Sequence, residues 1–184
     1  MLTRPDITDE SIIACLRDSC RLPIVQADFL PIGADVGNAA FRVTTDGGTP
    51  YFLKLRRGRF NEVAVDVPSF LNAHGVHRVM APIATTTNQL WVHAGGYNWM
   101  LYPYFEGNNG FEAALSKFQW NALGESLKSV HGTILPAELA ERVPREDYTP
   151  RWRNLVKAYS QQVQRSITSI NRGQAWPFVC SQDA

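Results

Sequence analysis

The spacing of apolar and polar positions changes period twice along the chain. Near the N-terminus, "TDESIIACLRDSC" sets Ile12, Ile13 and Leu16 on one side of a helical period, with Thr8 at the cap position and Asp9 and Glu10 in the first turn. This predicts an amphipathic helix. Over residues 28–55 the pattern shortens to the apolar runs "FLPI", "AAFRVTT" and "PYFLKL", separated by "GADVGN" and "DGG". That is the signature of a three-stranded antiparallel meander. "DGG" suits a tight hairpin because Asp and Gly tolerate positive φ. The stretch 33–39 is longer than such a turn needs, and a glycine-bearing loop of that kind can lay backbone N–H groups over a ligand.

A helix is predicted over 61–74, with Pro68 inside it disfavouring a helical Val67 and expected to kink or restart it. "VMAPIATT", "QLWVH" and "YNWMLYPYF" read as three more strands, with "TN" and "GG" as their turns. Beyond Gly107 the strand signals stop. "SKFQWNALGESLKSVHGTIL" carries Phe118, Leu123, Leu127, Val130 and Leu135 at helical spacing and ends at Pro136. "TPRWRNLVKAYSQQVQRSI" opens with Thr149 at the cap and Pro150 at the first helical position. The expectation is an α+β chain: a β-rich lobe over 1–101 with a sheet of five or six strands, a Pro/Gly-marked crossing at 102–107, and helices over 108–184.

Composition narrows the function. In 184 residues, 45% are hydrophobic and 19% charged, enough for one or two domains with a core. Eighteen basic side chains against seventeen acidic ones give a net charge of +1, so no bulk field draws the chain to nucleic acid or anionic membrane. "KLRRGR" is a short basic run in balanced surroundings. No apolar run approaches the ~20 residues of a membrane span, and "MLTRPDITDE" has no signal-like core, so a soluble cytoplasmic protein is expected. Cys15, Cys20 and Cys180 form no CxxC pair and leave an odd count, which fits reduced thiols. His74 and His77 are close but lack partners at ligand spacing, so no metal site is assigned.

The chemistry concentrates in "YFLKLRRGRFNE". Strand side chains alternate, so Phe52 and Lys54 share one face while Tyr51, Leu53 and Leu55 share the other, and the lysine face is not the core face. An ammonium sheltered in a cleft needs an anion to stay charged. Phosphate oxygens supply one, and a carboxylate from the following helix supplies another. Glu62 is the first candidate, with Asp66 as its substitute.

The glycine-bearing loop, the lysine in "FLKL", the helix glutamate, "LYPYFEG" and the later "VPREDYTPRWRNLV" together resemble the aminoglycoside phosphotransferase family, nearest its spectinomycin phosphotransferase-like branch. The resemblance runs over about residues 22–160. It implies the N-terminal lobe, hinge and first helices of a protein-kinase-like fold, and ATP- and magnesium-dependent phosphorylation of a small-molecule hydroxyl. Carried onto this chain, it makes Lys54 the binder of the α- and β-phosphates and Glu62 its partner, with the backbone of Leu101–Tyr104 hydrogen-bonding adenine. Asp35, Gly37 and Asn38 of the loop, with Phe52, Tyr102 and Tyr104, complete the implied nucleotide set.

The pattern departs from the family in its catalytic half. HxDxxxxN is absent: His131, the last histidine, is followed by "GT". "FVCSQDA" matches faintly, with Asp183 at the catalytic Asp position and Ser181 where His belongs, and no metal-binding Asp motif is present. The expectation is a truncated kinase-like chain that transfers no phosphate alone, with a non-catalytic nucleotide-binding module or an inert fragment as the alternatives. Its helices are expected to leave apolar faces open, so that the part after Gly107 is poorly ordered or self-associates.

Overall fold

The first helix begins where the polar pattern puts it. Thr8 Oγ1 accepts the Ser11 N–H, and α1 runs Asp9–Cys20 before Arg21 turns the chain with a positive φ of 52°. The computed structural model describes residues 3–32, 37–107, 113–145 and 149–170, with side chains to residue 165 in the last helix. After α1 come β1 (Ile24–Leu30), β2 (Asn38–Thr45), β3 (Pro50–Arg57), α2 (Val63–Ala73), β4 (Val92–Ala94), β5 (Tyr97–Pro103), α3 (Lys117–Gly132), α4 (Ala137–Arg142) and α5 (Arg151–Ile170). The chain divides into two units, Met1–Val143 and Pro144–Ala184.

The five strands form one antiparallel sheet in the order β1-β2-β3-β5-β4. Register fixes its two faces. Phe41 lies opposite Leu53, which lies opposite Leu101, and Ala39, Leu55 and Trp99 form the next such row. These residues, with Ile12 and Leu16 of α1, are the core, and Phe41, Leu53, Leu55 and Ile12 are wholly shut off from solvent. The "DGG" hairpin closes by Gly48 N–H to Thr45 C=O at 2.9 Å, with Gly48 at φ 80°. Gly95 and Gly96 both take positive φ between β4 and β5, as a two-residue hairpin demands.

Four boundaries differ from the sequence reading. β1 starts at Ile24, five residues before the predicted run "FLPI", because Ala27 and Phe29 alternate with the outward Gln26 and Asp28. "VMAPIATT" is not a strand. Pro82 has no N–H to give a ladder, and the segment spends a single bond on β5, Ile83 N–H to Leu101 C=O at 2.7 Å. α2 runs through Pro68 without restarting; Asn61 Oδ1 accepts the Val63 N–H at its start, and Val63, Val65 and Leu71 are buried. Finally, α3 ends at Gly132, short of the predicted stop at Pro136, and Pro136 instead caps a short helix, α4, that the sequence pattern does not predict.

α3 begins with a full capping box, Ser116 and Gln119 each bonding the other's backbone N–H. None of its residues is buried, and Phe118, Trp120, Leu123 and Leu127 are exposed. In the second unit, α5 likewise exposes Trp152, Leu155, Val156, Tyr159 and Val163.

Candidate functional site

Lys54 stands in the middle of β3, between Ala40 of β2 and Met100 of β5, on the face away from the core. Its neighbours in sequence, Leu53 and Leu55, are fully buried, while Lys54 itself is exposed. The alternation thus puts the ammonium on the face away from the core, as its spacing predicts, with buried Ala40 and Met100 on either side. The adjacent row on that face is Asp28, Arg42, Phe52 and Tyr102. Phe52 and Tyr102 are ring neighbours at 6.4 Å, and burial raises the Tyr102 hydroxyl above the ordinary phenol pKa.

Beside this row lies an apolar slot of about 200 Å³, lined by Leu30, Ile32, Phe52, Met80, Pro103, Tyr104 and Phe105. Its walls come from the end of β1, from β3, from the irregular segment before β4, and from the chain leaving β5. Phe52 belongs to the slot and Lys54 is two residues further along the same strand face, roughly 7 Å away. A planar apolar group in the slot would therefore have a cation within reach at one end.

The carboxylates do not gather at Lys54. Arg142, the last residue of α4, extends Nη2 to Asp66 Oδ2 at 2.7 Å and to Glu62 Oε2 at 3.5 Å. α4 packs against α2, and this brings a guanidinium between the two acids. Among the described residues Lys54 makes no ion pair, so the anticipated Lys54–Glu62 pair is not formed in this structure.

The other predicted residues fall in different places. Leu101 turns its side chain into the core, and its C=O is spent on Ile83 N–H. Tyr104 lines the slot. Gly37 precedes β2 and accepts the Arg57 N–H at 2.9 Å, while Asn38 pairs across from Arg56, so the end of the loop is tied to the lysine strand. Asp35 and Asp183 lie outside the described residues.

Sequence reasoning missed Leu30, Ile32 and Met80, while Pro103 and Phe105 fall within the predicted hinge. Leu30 was within reach of strand alternation, since it lies opposite Ala40, which lies opposite Lys54. Met80 was not, because its segment reads as a strand and is an irregular connection. Among the described residues no cluster of His, Cys, Asp or Glu is arranged to hold a metal ion, and no helix is long and apolar enough to cross a membrane.

A model of the phosphotransferase enzyme family matches residues 28–179. No curated protein matches the chain. Among solved structures, spectinomycin phosphotransferase APH(9)-Ia in complex with ADP and spectinomycin is similar over 86% of this chain and 48% of its own, at TM-score 0.78 and 27% identity. The AMP-bound complex of the same enzyme gives 85% and 47%, TM-score 0.73 and 26% identity. Amicoumacin kinase hAmiN, in complex with AMP-PNP, Ca2+ and Ami, shares the fold over 77% of this chain and 45% of its own, at TM-score 0.53 and 16% identity. The chain spans about half the length of these solved relatives.

Proposed function

Since the chain belongs to the phosphotransferase enzyme family, with a kinase-like α+β fold, we propose that it carries the nucleotide-binding half of an ATP-dependent small-molecule O-phosphotransferase. The observation that carries this reading is the apolar slot beside Lys54 on one face of β3. Adenine enters the slot, with Phe52 and Tyr104 against its rings and the backbone around Pro103–Phe105 offering polar edges. The phosphates then run toward Lys54, whose ammonium neutralises charge that this face of the sheet leaves unmatched. The lobe is 1–101, the hinge 102–107, and residues 108–184 belong to the helical part.

The acceptor class is the hydroxyl of an aminocyclitol antibiotic of the spectinomycin type, by analogy with the ligand of the similar enzyme. Such a reaction would inactivate the antibiotic, and its need for ATP suits the cytoplasm. Magnesium finds no ligand set among the described residues. Nor do those residues bring an acid to the slot that would take the hydroxyl proton. The described residues thus serve nucleotide binding.

Isothermal titration of the chain with Mg-ATP tests the reading. Lys54→Ala removes a charge-assisted contact worth about 1.5–3 kcal/mol, so affinity falls roughly ten- to a hundredfold. Equal heats from wild type and variant would sink the role of Lys54. Silence from both would point to a structural fragment that binds nothing.

A further inference from the structure

Arg42 stands on β2 directly across from Phe52, on the face that carries Lys54. The opposite charge nearest to it in register is Asp28, its partner on β1. Asp28 is engaged elsewhere: Gln26 Nε2 donates to both of its carboxylate oxygens, at 3.0 and 2.9 Å. Arg42 reaches the other way. Its Nη2 donates to Glu106 Oε1 at 3.1 Å, 64 residues along the chain, and its guanidinium lies 4.9 Å from the centre of the Tyr104 ring. Its Nε is buried and has no acceptor among the described residues. A guanidinium that passes over an acid in register, and leaves one donor unpaired, is held in place by what it gains at its far end. Here that gain is an aromatic face and a carboxylate, both on the chain just after β5.

We propose that Arg42 is a positioning residue for the base slot, pinning residues 104–106 to the sheet so that Tyr104 and Phe105 stand as the wall facing Phe52. It therefore sets affinity for a planar aromatic base and leaves the phosphate end at Lys54 unaffected. The inference rests on the nucleotide reading above and assigns one residue to half of that ligand.

The test uses the full 184-residue chain with three probes: Mg-ATP, adenosine, and Mg-tripolyphosphate, which has phosphates and no base. Arg42→Met weakens ATP and adenosine about three- to fivefold, the size of a stacked cation at a partly exposed site, and leaves tripolyphosphate unchanged. Arg42→Lys keeps the charge, loses the planar stack, and falls between. A readout independent of nucleotide is the Arg42 Nε–H proton resonance, sheltered from water in the wild type and lost to exchange in Glu106→Gln. Adenosine affinity unchanged in Arg42→Met, a parallel fall for tripolyphosphate, or an Nε–H signal indifferent to Glu106→Gln would each overturn the proposal. If the wild type binds none of the probes, the nucleotide reading fails, and the Nε–H signal alone decides whether Arg42 pins the segment.

Discussion

At the scale of single residues, the decisive fact is which cation the two acids of α2 meet. Glu62, Asp66 and Arg142 are all partly open to water, with side-chain exposures of 54%, 29% and 48%. Pairs of that kind contribute little, because water screens them and two long side chains lose freedom. Arg142→Met is therefore expected to cost less than about 1 kcal/mol in urea unfolding, with a coupling to Asp66→Asn of the same small size in a double-mutant cycle. A coupling of several kcal/mol would mean that α4 is anchored by this fork rather than by packing. The thiols show burial more plainly. Cys15 and Cys20 are half-buried, and desolvation raises both above the ordinary thiol pKa. The fold thus favours the protonated thiol. This contribution is fully present below the unfolded thiol pKa and is lost as pH rises through the folded one. Alkylation of Cys15 and Cys20 in the native chain should accelerate at higher pH than in the urea-unfolded chain; coincident profiles would contradict it.

At the scale of elements, the same sequence signals that succeed also show why others fail. Alternation placed β3, where Leu53 and Leu55 are buried and Lys54 is exposed, so parity put Lys54 opposite the core; β5 was legible as a run of aromatic and apolar residues, and it is buried at every position from Tyr97 to Leu101. Local chemistry placed the turns and caps. The capping box at Ser116 and Gln119 satisfies two backbone donors, so Ser116→Ala should cost about 1 kcal/mol and shorten α3 from its N-terminus. Unchanged helical circular dichroism and an unchanged unfolding free energy in that variant would show the cap to be idle. Failures arise where tertiary context outranks local pattern. Residues 79–86 are rich in apolar and β-branched side chains, yet Pro82 withholds a donor and β4 already occupies the neighbouring edge of β5. Pro68 breaks local helix rules, but burial of Val63, Val65 and Leu71 holds α2 together across it. The slot was half legible for the same reason. Strand residues follow parity, whereas Ile32 and Met80 lie on irregular chain whose course no period encodes.

At the scale of the molecule, the contrast between the sheet and the late helices governs behaviour. The sheet is paired strand to strand, and α1 covers its core face. α3 buries none of its residues and leaves Phe118 78% and Trp120 58% exposed, and in the second unit Trp152 and Tyr159 of α5 are 66% and 68% exposed. Apolar surface left in water forgoes about 25 cal/mol per Å², so a few hundred Å² on each helix amounts to roughly 10 kcal/mol, comparable with the net stability of a domain. Two outcomes follow from so large a term. Either these faces stay wet and their helices open easily, or they find cover in another copy of the chain. Hydrogen exchange separates the helices from the sheet: amides of β2, β3 and β5 should exchange slowly and those of α3 and α5 quickly in dilute solution. Sedimentation separates the two outcomes, since cover from a second copy requires mass to rise with concentration and exchange in α3 or α5 to slow in step. Uniformly slow exchange in a chain that remains monomeric at every concentration would show that the helices are stable with their faces open, and the energetic argument would fail.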